Sequence, residues 1–150
     1  MKKNMIVGIG LMLGTSLAQG AVSCSISSEE LAFGVINPLL SGDITSIAAV
    51  KLDCSGGTFE YTIKLSQGNG TMAQRMLKSG LNELKYNIYT SNSYSSVLGD
   101  GTGGSVAISG SSNSNTTEVT HYVHGKISNV GLSNTPAGAY SDSISMVINY

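Results

Sequence analysis

The sequence predicts an antiparallel β-sandwich with Greek-key connections. Apolar residues recur at every second position over short stretches, the period of a half-buried strand. Clusters of Gly, Ser, Asn and Asp, the residues that turn a chain, separate those stretches. The stretches repeat about seven times without a linker or internal repeat, which suits a single sandwich domain.

The elements follow in order. Residues 25–35 place Leu31, Phe33 and Val35 in alternation, and Asn37-Pro38 ends that strand. Ser41-Gly42-Asp43 turns the chain into residues 44–54, where Ala48, Val50, Leu52 and Cys54 share a face. After Ser55-Gly56-Gly57, Phe59, Tyr61, Ile63 and Leu65 alternate with Glu60, Thr62, Lys64 and Ser66. Residues 72–84 are ambiguous: Met72, Met76, Leu77 and Leu81 suit one helical turn, while Gly80 and the flanking glycines suit a compact crossover. Leu84, Tyr86 and Ile88 mark the next strand, and residues 92–104 form a long Ser- and Gly-rich loop. Val106 and Ile108 mark a short strand, residues 110–115 a polar turn, and residues 119–127 a strand with Val119, His121, Val123 and Ile127 on one face. After a loop over 129–138, residues 140–150 read as a last strand, with Ile144, Met146, Ile148 and Tyr150 at every second position. A strand this apolar needs a neighbour, because an open edge of N–H and C=O groups invites pairing. That neighbour is either an earlier strand or another polypeptide.

Residues 1–20 have the layout of a secretory leader. Met1-Lys2-Lys3-Asn4 is basic, an apolar run follows, and Ala18-Gln19-Gly20 supplies small residues for cleavage before Ala21. The run is about 13 residues, short of the ~20 that span a bilayer, and no integral membrane segment is expected in the mature form. The domain is then 21–150, long enough for a core of its own. Net charge is −1 and 11% of residues are charged. With no basic patch, nucleic acid is excluded as a partner. Hydrophobic residues reach 41%, which excludes a disordered chain.

Cys24 and Cys54 are the two cysteines. In an exported chain an even pair is most simply a disulfide. The alternative, a zinc site, needs further ligands that His121 and His124 are poorly spaced to supply. The histidines lie three apart on a strand and point to opposite faces. No G-x-S-x-G elbow frames a nucleophile. The glycine-rich run 99–104 lacks the Lys-Ser/Thr ending of a phosphate loop. Asp100 alone is a poor calcium site. Asn69-Gly70-Thr71 and Asn115-Thr116-Thr117 match glycosylation sequons, which arise by chance in such loops. Neither a catalytic constellation nor a cofactor or metal site is expected.

Several stretches together are similar to one family: Leu31-Ala32-Phe33-Gly34-Val35-Ile36-Asn37-Pro38 after Cys24; Val50-Lys51-Leu52-Asp53-Cys54; Tyr61-Thr62-Ile63-Lys64-Leu65-Ser66-Gln67-Gly68 before Arg75-Met76; Leu84-Lys85-Tyr86-Asn87-Ile88-Tyr89; Leu98-Gly99-Asp100-Gly101; Val123-His124-Gly125-Lys126-Ile127; and Gly138-Ala139-Tyr140-Ser141-Asp142. The chain resembles the spore coat protein U domain, the module of archaic chaperone–usher pilus subunits, across essentially all of 24–150. It departs where the family often has Trp (here Leu98) and Tyr (here His124).

The resemblance implies an immunoglobulin-like sandwich lacking its last strand, filled by a strand from a periplasmic chaperone and then from a neighbouring subunit, a form of β-augmentation. It implies an acceptor groove along Leu31, Phe33, Val35, Ile144, Met146, Ile148 and Tyr150. The implied partners are the pilus chaperone, the usher and other pilus subunits, and the implied destination is the cell surface by way of the periplasm. After the predicted cleavage only Ala21-Val22-Ser23 precede Cys24, a reach of about 10 Å. That predicts a subunit that accepts a strand without donating one, at the tip or in a minor position. For a tip subunit, Tyr94, Val97 and Leu98 are candidate surface contacts; the competing expectation is that they fold back over the sandwich end. The other readings are a secreted, self-complete coat or matrix protein of the same fold and, less well supported, an enzyme or small-ligand binder.

Overall fold

The structure is a computed structural model describing residues 21–39, 41–113, 118–130 and 132–150. The predicted leader and the second sequon lie outside these residues. The strands are β1 (Ser23–Ser28), β2 (Ile44–Ser55), β3 (Phe59–Leu65), β4 (Arg75–Ser79), β5 (Asn82–Tyr89), β6 (Ile108–Ser112), β7 (Glu118–Ile127) and β8 (Met146–Asn149), with one 3-10 turn at Leu132–Asn134. They form two antiparallel sheets, β1-β2-β7-β5-β4 and β6-β3-β8. The chain passes between sheets after β2, β3, β5, β6 and β7, which is the Greek-key sandwich expected. Leu52, Ile63, Leu98 and Ile127 are fully buried between the layers.

The structure differs from the sequence reading in three respects. Residues 72–84 contain a hairpin: β4 pairs with β5 from Arg75↔Tyr86 to Ser79↔Asn82. Its two-residue loop has Gly80 at φ +59° and Leu81 outside the positive region, the II′ arrangement that takes glycine first. Leu81 points wholly into solvent, so the apparent helical stripe has no common face. The expected turn at 110–115 is strand as far as Ser112, because β6 pairs with β3 from Phe59↔Ser112 to Ile63↔Ile108. Val106 instead makes an isolated bridge to Leu98.

The third difference concerns both flanks of the expected groove. Residues 29–36 are not a strand. The Glu29 N–H still donates to the Ala49 carbonyl at 2.9 Å and Ser46 Oγ to the Ala32 carbonyl at 2.6 Å, so the segment stays beside β2. At Gly34 the backbone turns to φ +68°, which inverts the alternation. Val35 is left fully exposed and Ile36 turns inward instead. The last strand is also shorter than expected. Ser141 exchanges two backbone hydrogen bonds with Lys78 of β4, at 2.8 and 3.0 Å, in the opposite sheet. Only from Met146 does the chain pair with β3.

Candidate functional site

A cavity of about 1040 Å³ opens between the sheets. Ala48, Val50, Tyr86, Ile88 and Val123 floor it from one layer, and Leu65, Ile144 and Met146 wall it from the other. Leu31 and Phe33 line one flank, while Leu132, Ala137 and Tyr140 line the other. Beside the cavity, β8 pairs with β3 on one side and has no strand on the other among the described residues. An apolar trough thus lies next to a row of unpaired backbone groups, the geometry that takes up an extended strand.

Of the residues expected along the groove, the structure brings Leu31, Phe33, Ile144 and Met146 to its walls. Val35 touches the rim, but its side chain points away, for the reason just given at Gly34. Ile148 and Tyr150 do not line the cavity. Ile148 packs into the core of the other half of the sandwich, and the Tyr150 ring lies 6.1 Å from that of Phe59. Sequence reasoning missed Leu77, Leu132 and Ala137, which sit in loops or in the ambiguous 72–84 segment and show no strand period, and it left Tyr140 out of the groove although it lies in phase with Ile144 at the start of the expected last strand. Isolated apolar residues in an otherwise polar loop were the available signal.

Gly125 sets the depth of the Leu31–Phe33 flank. A Cβ there would stand 2.7 Å from a Leu31 methyl and 2.8 Å from the far edge of the Phe33 ring. Phe33 in turn meets Tyr86 edge-on, with centroids 6.0 Å apart. Gly125→Val should therefore push this flank outward. The expected loss is about 1–3 kcal/mol of stability by overpacking, together with weaker strand binding, measured by denaturation and peptide titration.

The opposite flank is held by polar groups. Asp142 Oδ1 accepts from the Asn69 N–H at 2.9 Å and the Ser143 N–H at 2.8 Å, and Oδ2 accepts from the Tyr86 hydroxyl at 2.7 Å. Burial and then the Asp142 hydrogen bond push the Tyr86 phenol far above its usual range, so it stays a donor. Behind this wall sits Arg75, with no exposed surface. Its guanidinium donates to Asn87 Oδ1 at 2.6 Å and to the carbonyls of Ser66 at 2.8 Å and Leu98 at 2.9 Å. Burial lowers its pKa, but an arginine so bonded remains charged.

The histidines face opposite sides of β7, as expected. His121 Nε2 lies 2.8 Å from the Tyr61 hydroxyl across the sandwich. Burial holds its pKa below the ordinary value. The unfolded chain therefore takes up this proton first as pH falls. Stability from this group is complete above about pH 6.5 and declines as pH falls through that value towards the lower folded pKa. His121→Gln should flatten the difference in unfolding midpoint between pH 7 and pH 5, read by urea titration. Among the described residues, no group of three or more His, Cys, Asp and Glu side chains could hold a metal ion.

The 92–104 loop folds back on the sandwich. Leu98 is fully buried, which removes it as a surface contact. Val97 bridges to Tyr89 in the backbone. Tyr94, at φ +53°, packs edge-on against Tyr89 and His124 and lies under Lys126 Nζ at 5.1 Å. Side chains spent on such local packing offer little to a distant surface. The two cysteines do form the expected disulfide, Cys24–Cys54, between directly opposed positions of β1 and β2.

No helix among the described residues is long and apolar enough to cross a membrane. No curated protein matches the chain significantly. Solved structures do. One chain of the chaperone–tip adhesion subunit pre-assembly complex from archaic chaperone–usher Csu pili of Acinetobacter baumannii aligns with a TM-score of 0.59 and 22% identity, over 87% of this chain and 40% of that one. This chain thus spans well under half of the neighbour's length. A chaperone–usher pilus structure aligns with a TM-score of 0.53 and 16% identity, over 100% of this chain and 99% of that one. A chaperone–tip adhesin complex of CFA/I fimbriae aligns at 0.49 and 13%, over 87% of this chain and 42% of that one. The first two share the sandwich fold described above. The model of the Spore Coat Protein U domain matches residues 12–147, and the chain belongs to that family.

Proposed function

We propose that this protein is a subunit of a chaperone–usher surface pilus and that it accepts a strand from another polypeptide. The observation that carries the reading is the apolar cavity of about 1040 Å³ beside the unpaired edge of β8. The family match and the shared fold of pilus subunits support it. The occupant is a periplasmic chaperone during export and a neighbouring subunit in the fibre, with an usher at the outer surface. The role is structural or adhesive, and no enzymatic step is assigned to it.

The experiment is addition of an apolar donor peptide of about ten residues, long enough for a full strand, to the purified mature chain. Each buried aliphatic side chain contributes about 1.5–3 kcal/mol gross, so the unfolding midpoint should rise by about ten degrees or more. A monomer that melts cooperatively and does not respond to any peptide would instead favour a self-complete coat or matrix protein. Position in the fibre depends on the mature N-terminus. If N-terminal sequencing finds Ala21 first, only three residues precede Cys24. Such a subunit has too short an arm to donate and belongs at the tip or in a minor position. A mature chain with a longer arm ahead of Cys24 would overturn that placement.

A further inference from the structure

Resting on the acceptor reading above, we propose that the groove selects a cationic strand whose bulky apolar side chains occupy only one half of its length. The cavity does not run the height of the sandwich. It opens where β1 ends at Ser28 and extends past Leu65, Met146 and Ile144 towards Leu132. In the other half, Leu52 and Ile63 are fully buried and neither borders the cavity. Aromatic rings fill that half: Tyr61 lies 5.8 Å from His121 and 6.4 Å from Phe59, and Phe59 lies 6.1 Å from Tyr150, centroid to centroid.

A strand laid along the free edge of β8 therefore meets two different walls. Beside Ile144 and Met146 its inward side chains enter open apolar space and must be large to fill it. Beside Ile148 and Tyr150 they meet a closed wall and must be small. Uniform alternation of bulky residues, which would suit a groove open along its whole length, overpacks the closed half.

Charge narrows the occupant further. Glu29, Glu30 and Asp142 are the charged residues among those lining the cavity, and no Lys or Arg is there. Asp142 is committed to Tyr86, Asn69 and Ser143. Glu29 and Glu30 are exposed and stand where β1 ends, at the junction of the open and closed halves. A Lys or Arg at the middle of the incoming strand is attracted there and an acidic residue is repelled. Charges at a rim act on encounter and partner choice, and salt screens them.

The test uses three labelled peptides of about ten residues and the purified mature chain, read by fluorescence anisotropy. The first has Leu or Val at alternate positions of one half, Gly and Ser in the other, and Lys at the junction. The second is bulky throughout. The third is the first with Glu for Lys. Each is also made in reversed order, so both strand directions are covered. The first should bind about tenfold tighter than the second. It should bind about threefold tighter than the third near 50 mM salt, a gap that closes near 500 mM. Tyr150→Ala should shrink the first difference, and the Glu29→Lys/Glu30→Lys double variant should invert the second. Equal affinity for the first and second peptides, or for the first and third at low salt, overturns this proposal and leaves the acceptor reading intact. Failure of all peptides to bind overturns the acceptor reading itself.

Discussion

Arg75→Ala is expected to destabilise the domain by about 3–5 kcal/mol, the range for removing one member of a buried, hydrogen-bonded charged set. The side chain has no exposed surface, and its guanidinium ties together three separate segments. It reaches the Ser66 carbonyl just after β3, the Leu98 carbonyl in the long loop and the Asn87 side chain in β5. Asn87 passes the restraint on, donating to the carbonyls of Met72 at 3.0 Å and Ala73 at 2.9 Å. Deleting the guanidinium leaves several of these buried acceptors unpaired and opens a void in the wall behind the groove. Urea titration of the domain with and without the peptide is the measurement: the free titration reads loss of fold, and the peptide-dependent difference between the two reads loss of strand binding. Arg75→Lys should recover only part of the stability: an ammonium is a point donor and cannot span partners that the planar guanidinium reaches in several directions. A change within 0.5 kcal/mol for Arg75→Ala would show that the hydrogen bonds are replaced by water and that the hub is incidental.

Removal of the disulfide in a Cys24→Ser/Cys54→Ala double variant is expected to destabilise the chain by about 3–4 kcal/mol, since the bridge closes a loop spanning a sequence separation of 30. The local setting makes the loss more consequential than the number suggests. Among the described residues β1 is an edge strand that pairs with β2, and Cys24 and Ile26 are its apolar residues packed against the core. Its hold on the sheet is therefore slight without the covalent link. Where β1 ends, residues 29–36 begin the flank of the cavity. Freed β1 should let that flank move, so strand binding and stability should fall together. Comparing peptide affinity with and without reductant measures the first, and denaturation measures the second. Unchanged affinity after reduction would mean that the flank is held by the Leu31 and Phe33 packing on β7 alone.

Much of the sandwich was legible because its strands alternate. β2, β3, β5 and β7 lie within a residue or two of the expected places, and of the residues assigned to one face of β3, Tyr61, Ile63 and Leu65 are buried and Phe59 half-buried. The period fails where backbone conformation overrides it. Gly80 makes a hairpin of what resembles a helical turn, and Gly34 sends Val35 outward in mid-alternation. A positive φ redirects the residues beside it, as it sends Val35 outward, and nothing in hydrophobic spacing announces it.

The candidate site divides in the same way. Alternation marked Ile144 and Met146 as apolar residues in search of a partner, and the family resemblance added Leu31 and Phe33 to the same groove. It assigned Ile148 and Tyr150 to the same row, because along a strand they are equivalent. They differ because Phe59, Tyr61 and His121 from other strands already fill the space before them. Likewise, Tyr94 and Leu98 suggest a contact surface only while their surroundings are unknown: Tyr94 packs against Tyr89 and His124, and Leu98 lies in the core.

What the sequence by itself determined is the sandwich class, the disulfide pair and an apolar last strand with an edge to cover. These follow from composition and from a period that each strand carries alone. The tertiary structure alone decided where the cavity lies, how far it extends and which charges rim it. Open volume is set by what several distant segments together fail to fill, a quantity that no local pattern in the chain records.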